Sequence, residues 1–160
     1  MKKQSRTATF FFLFILVITS CSTIKKLPAS VAGASRARFV GTWALTKVSY
    51  DGLLPNAVQT IFDQGPPVDF IGSTWKLTNS GNGIYTLSNG TSQTIFWSYD
   101  NGRSIFQFKK LYQGDSARKV QAGYQLIVSS IDGGQMVLKS PVSLGDKTAY
   151  VILSFNKIRS

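Results

Sequence analysis

From residue 41 onward, short runs of β-branched and aromatic residues alternate with polar ones at a period of two, and turn-forming residues separate them. The runs Gly41–Tyr50, Val68–Asn79, Ile84–Leu87, Gln93–Tyr99, Ser104–Leu111, Lys119–Ile131, Gln135–Ser140 and Thr148–Ile158 predict eight strands, with Gly72 a candidate break in the second. Tight turns are expected at Asp51-Gly52, Ser80–Gly83, Asn89-Gly90, Asp100–Gly102 and Asp132–Gly134. Tyr112–Arg118 is a looser connection, and Pro141–Lys147 reads as a loop. One stretch breaks the rhythm. Leu53–Gln64 carries Ala57, Val58, Ile61 and Phe62 at helical spacing, and Gly65-Pro66-Pro67 stops it. It reads as either a short helix or a lid-like loop.

Short connections favour antiparallel neighbours, and only one segment has a helical pattern to serve a parallel crossover. An antiparallel array of this size must hide its edges. Hairpin after hairpin points to an all-β, up-and-down, eight-stranded barrel rather than a Greek-key sandwich. Alternation then gives an inner face: Trp75 and Leu77; Tyr85 and Leu87; Ile95, Trp97 and Tyr99; Phe106 and Phe108; Tyr124, Leu126 and Val128; Met136 and Leu138. In the last strand Ala149, Val151, Leu153 and Phe155 compete with Tyr150, Ile152 and Ser154 for that face.

The N-terminus has a different pattern. Lys2, Lys3 and Arg6 precede nine unbroken apolar residues, Phe10–Ile18, followed by Thr19, Ser20 and Cys21. A basic start, a short apolar run and a small-residue exit describe an export signal. Nine residues at ~1.5 Å each reach about half of a ~30 Å hydrocarbon core, too little to span it. Ile18-Thr19-Ser20-Cys21 resembles the bacterial lipobox, which implies acylation of Cys21, the sole cysteine, and cleavage before it. Several acyl chains at ~0.8 kcal/mol per buried methylene make such an anchor effectively permanent. The expected organisation is a signal over residues 1–20, an acylated N-terminus and flexible tether over 21–38, and a barrel over 39–160. The tether contains Pro28, Gly33 and four basic residues, and its composition gives roughly 20–25 Å of reach.

Charge changes the picture little. The chain carries +11, but removing the signal leaves 15 basic against 7 acidic residues, +8. The body from Phe39 holds 11 basic and 7 acidic residues, +4, so much of the basicity lies in the tether, as a solvated linker or an arm facing anionic headgroups. A chain tethered outside the cytoplasm is a poor nucleic-acid binder despite its high pI. Lys109-Lys110 and Arg118-Lys119 flank one connection, as a basic patch or a solvated rim. All seven acidic residues are Asp, and there is no Glu and no His. A Ser-His-Asp or Cys-His site and a zinc site of the usual Cys/His type therefore cannot be built. The Asp residues are dispersed, mostly beside Gly or Asn in turns. No catalytic residue, metal ligand or cofactor is expected.

Phe39-Val40-Gly41-Thr42-Trp43 resembles the opening of the lipocalin first strand. With the lipobox and a second tryptophan, Trp75, the chain is similar to lipocalin-like lipoproteins of Gram-negative bacteria. The resemblance implies that Gly41 starts the barrel, that Trp43 closes its floor, and that Arg159 or Lys157 covers Trp43. It departs from the family in lacking a helix after the last strand. It implies a module that binds a small apolar ligand, with Trp75, Leu77, Tyr85, Trp97, Phe106, Phe108, Tyr124 and Leu126 lining the calyx and the Tyr85, Tyr99 and Tyr124 hydroxyls orienting the guest. The alternative is a barrel filled by these rings that serves an envelope protein partner or a structural role. Ser22 and the lack of an acidic cluster after Cys21 imply the outer membrane, facing the periplasm.

Overall fold

The computed structural model describes residue 31 and residues 34–159. The signal, Cys21 and most of the tether lie outside the described residues.

Eight strands form: β1 (Gly41–Asp51), β2 (Thr74–Leu77), β3 (Asn82–Thr86), β4 (Ser92–Asp100), β5 (Ile105–Lys110), β6 (Tyr124–Ile131), β7 (Gln135–Leu144) and β8 (Lys147–Ile158). Each pairs antiparallel with the next, and β8 closes on β1, giving an up-and-down barrel. The architecture is the one the alternation predicts. The inner face is also as expected, with Trp75, Leu77, Tyr85, Ile95, Trp97, Phe106, Phe108, Leu126, Val128, Met136 and Leu138 buried. Pairing on both sides of β8 settles the last strand, because Ala149, Val151, Leu153 and Phe155 turn inward.

Three strand bounds differ from the expectation, and of the two readings of Leu53–Gln64 the loop is the one that forms. Leu53–Gln64 forms no helix. Its end folds into a hairpin with a three-residue loop, in which Ile61 bridges Gly65. Its apolar residues Ile61 and Phe62 are instead buried in the barrel core, which a local helical stripe would not reach. Val68 is not in a strand, because Pro66 and Pro67 fix the φ of a 3-10 turn, Pro67–Phe70, and Gly72 at φ +84° redirects the chain before β2. The expected strand from Lys119 begins only at Tyr124, and β7 continues through Pro141 to Leu144. The proline is tolerated because β7 beyond Lys139 has only β8 as a strand neighbour.

All three tryptophans place their indole N–H on an acceptor, as buried indoles require. Trp43 donates to the Phe39 carbonyl at 2.8 Å, Trp75 to the Ser73 hydroxyl at 3.1 Å, and Trp97 to the Thr78 carbonyl at 3.1 Å.

A closed floor and a plugged mouth as the candidate functional site

The two ends of the barrel are closed differently. At the floor, where β1 begins, a 3-10 turn (Arg36–Phe39) crosses the opening. Phe39 is fully buried there, 4.6 Å from Tyr99, 5.6 Å from Phe106 and 6.1 Å from Trp97 between ring centroids. The Lys157 ammonium lies 5.1 Å from the Trp43 ring, and the Arg36 guanidinium 4.6 Å from the Trp97 ring. Gly41 adopts φ +136°, and a Cβ there would meet Lys157 Cε at 2.6 Å. Gly41, Trp43 and Lys157 therefore close the floor together. Arg159 does not cover Trp43; it follows the last residue of β8 and is exposed.

The mouth is closed by the long connection between β1 and β2. Ile61–Gln64 forms a turn in which Gln64 N–H donates to the Ile61 carbonyl at 3.1 Å, and Ile61 N–H to the Gly65 carbonyl at 2.9 Å. Its central residues, Phe62 and Asp63, sit at φ +55° and +47°. Two successive left-handed residues make a type I′ turn, which favours Gly or Asn at the first position and not Phe. The strained residue is nonetheless 5% exposed. Its ring meets Phe108 at 5.0 Å, Tyr124 at 5.3 Å, Phe70 at 5.4 Å and Trp75 at 6.1 Å, all but Tyr124 edge-on within 20° of perpendicular. Edge-to-face pairs of this kind each contribute about 0.5–1.5 kcal/mol beyond area burial. The packing holds the turn in a conformation that its sequence disfavours.

Three rim side chains latch the same turn. The Tyr124 hydroxyl donates to Asp63 Oδ2 at 2.7 Å, the Lys110 ammonium to the Asp63 carbonyl at 3.2 Å, and the Tyr85 hydroxyl to Gln64 Oε1 at 3.2 Å. They come from β6, β5 and β3. Burial pushes the Tyr85 phenol up to about 12, and the charge on Tyr112 adds to the rise. Burial, then the hydrogen bond to Asp63, raises Tyr124 further. Both phenols are protonated donors at neutral pH. Beside the latch, Asp63, Lys110, Tyr112, Asp115, Val120, Ala122 and Tyr124 line a recess of about 250 Å³.

The expected lining residues thus fall into two groups. Trp75, Tyr85, Phe108 and Tyr124 surround the plug at the mouth, whereas Trp97 and Phe106 pack on Phe39 at the floor. Leu77 and Leu126 are buried within the barrel wall. The interior is filled rather than an open calyx, because Phe39, Phe62 and Phe70 enter it from the connecting segments. Asp63 and Gln64 were not legible as site residues, and Lys110 was legible only as part of a candidate basic patch. The only cue was an isolated Ile-Phe-Asp before Gly-Pro-Pro. Asp100 and Asp132 serve turns. Arg103 holds Asp100 below the usual carboxylate range, and the backbone N–H groups of Gly134 and Gln135 do the same for Asp132.

No family model matches the chain, and no curated protein matches it. Among solved structures it is similar to a lipocalin-like protein from Bacteroides uniformis, at 12% identity and a TM-score of 0.44, over 76% of this chain and 99% of that one. The barrel assignment rests on the strand pairing and not on that likeness.

Proposed function

We propose that the protein is a lipid-anchored, lipocalin-like module that binds a small apolar ligand at the mouth of its barrel. One observation carries this reading. A strained, polar-latched turn inserts a single phenyl ring into a cage of aromatic rings at the mouth. A side chain held there against its backbone preference fills a space that another apolar group fits when the turn lifts. At the floor Phe39 fills a comparable cage, but its turn has no residue at positive φ, so the site is assigned to the mouth half.

Native mass spectrometry of the protein in nanodiscs, after isolation under mild conditions, tests the reading. A retained small molecule supports it. A clean apo mass together with no uptake of apolar fluorescent probes refutes it and leaves a filled barrel that serves an envelope partner, the reading that the packed floor favours.

The anchor is part of the proposal. The lipobox-like Ile18–Cys21 supports acylation of Cys21 and residence at the outer membrane, facing the periplasm. Metabolic labelling with palmitate, lost on Cys21→Ala, checks the first point. Digestion of the barrel by protease added to intact cells would contradict the second.

A further inference from the structure

The mouth recess also carries a statement about ligand chemistry, one that rests on the binding reading above. We infer that the ligand is a small aryl carboxylate and that the Phe62-Asp63 dipeptide occupies its place in the closed state.

The plug has two parts. Phe62 supplies a ring to the cage formed by Phe70, Trp75, Phe108 and Tyr124. Asp63 supplies oxygen acceptors to two rim donors, its carboxylate to Tyr124 at 2.7 Å and its carbonyl to Lys110 at 3.2 Å. Lys110 is a buried cation, 9% exposed, and the Asp63 carbonyl is the one acceptor seen for its ammonium among the described residues. The ammonium also lies 6.0 Å from the Tyr124 ring. Asp115 lines the same recess, but its carboxylate accepts from the Tyr112 N–H at 2.8 Å.

When the turn lifts, Lys110 and Tyr124 lose their acceptors together. The Tyr124 hydroxyl is exposed and passes to water, whereas the buried Lys110 ammonium is penalised for losing its acceptor. A neutral apolar guest fills the cage and leaves that ammonium without an acceptor. A carboxylate has two oxygens and no donor, so it accepts from the ammonium and the phenol at once, as Asp63 does. The depth of the cage limits the apolar part. Below the plug, Trp75 packs edge-on against Phe155 at 5.7 Å, and Phe39, Trp97 and Phe106 fill the floor. One ring fits, and a long acyl chain does not.

Isothermal titration of the full-length protein in nanodiscs of zwitterionic lipid tests this with hydrocinnamate, hydrocinnamamide and octanoate. Hydrocinnamate is expected to bind roughly 10- to 100-fold tighter than its amide, the worth of a hydrogen bond to a charged group. Lys110→Met is expected to abolish that preference by weakening the acid far more than the amide, and Tyr124→Phe to reduce it. Circular dichroism verifies that both variants fold. Phe62→Gly, which removes the competing ring, is expected to tighten both ligands. Equal binding of acid and amide overturns the carboxylate assignment and leaves an apolar site at the mouth. Octanoate binding as tight as hydrocinnamate overturns the single-ring assignment. No binding of any of the three, to the wild type or to Phe62→Gly, overturns the binding reading itself.

Discussion

Replacing Phe62 by alanine and by glycine reverses the usual ranking of those two residues. Both substitutions remove a ring that is 5% exposed and touches four aromatic rings. Truncating a well-packed phenylalanine costs about 3–5 kcal/mol, and the position at the barrel mouth places it near 3. The two variants then diverge through the backbone. Residue 62 sits at φ +55°, where a Cβ costs roughly 1–2 kcal/mol and glycine nothing. Glycine gives back about 0.5–1 kcal/mol through the freedom it gains in the unfolded chain. The net is about 0.5–1 kcal/mol in favour of glycine, whereas within an ordinary strand or helix alanine is favoured by a similar amount. Urea unfolding followed by tryptophan fluorescence reads the difference directly. With a slope near 2 kcal/mol per molar, Phe62→Gly should unfold at a midpoint roughly 0.3–0.5 M above Phe62→Ala. Alanine equal to or above glycine at the same slope would refute the strained turn. A loss below about 1 kcal/mol in both variants would refute the seated ring, since burial of an intact phenyl cannot be worth so little.

Other substitutions probe the remaining closures. Lys157→Ala should lower stability by about 1 kcal/mol through the lost contact with the Trp43 ring, whereas Arg159→Ala should stay within about 0.5 kcal/mol, by the same urea assay. Gly41→Ala should cost roughly 1–3 kcal/mol, and adding Lys157→Ala should recover part of it, because the clash with Lys157 Cε is relieved while the φ of +136° remains. Ser73→Ala strands the buried Trp75 indole N–H and should lower stability by about 1–3 kcal/mol. The Tyr85 phenol binds its proton more tightly in the folded state, about 12 against an ordinary 10. Its contribution is therefore complete below pH 10 and lost as pH rises toward 12. Alkaline unfolding of Tyr85→Phe should show a shallower fall across that window, and an unchanged slope would contradict the burial of the hydroxyl.

The barrel was legible because its strands obey one rule. Trp75 and Leu77, or Phe106 and Phe108, alternate with polar neighbours, and tight turns force each strand beside the last. The plug was not legible, for a physical reason. Val58, Ile61 and Phe62 are apolar at helical spacing, and local spacing cannot register that Phe62 is instead held by rings from strands further along the chain. The floor lysine shows the same limit on a smaller scale. Lys157 and Arg159 share the inward parity of Leu153 and Phe155, so alternation admits both. Only the end of β8 at Ile158 separates them, and strand ends are where pattern reading is least exact. Likewise, Pro141 looked like the end of a strand because the sequence does not reveal that β7 has only one strand neighbour at that point.

On the proposed binding reading, the asymmetry of the two ends sets the direction from which a ligand would enter. The floor is held by Phe39 and by the indole bond of Trp43, and lifting the 3-10 turn would expose a fully buried ring and strand an indole N–H. The mouth is held by a turn whose two central residues sit in the left-handed region and whose latches are three side-chain bonds at the rim. Strain at Phe62 and Asp63 lowers the free energy of lifting the mouth turn, whereas no residue of the floor turn Arg36–Phe39 is at positive φ, so of these two closures the mouth turn opens more readily. The chain enters the barrel at the floor, through Arg36–Phe39. With the proposed attachment at Cys21 through a flexible tether, the mouth is the end of the barrel opposite the attachment, and a ligand of the proposed site would enter from that end.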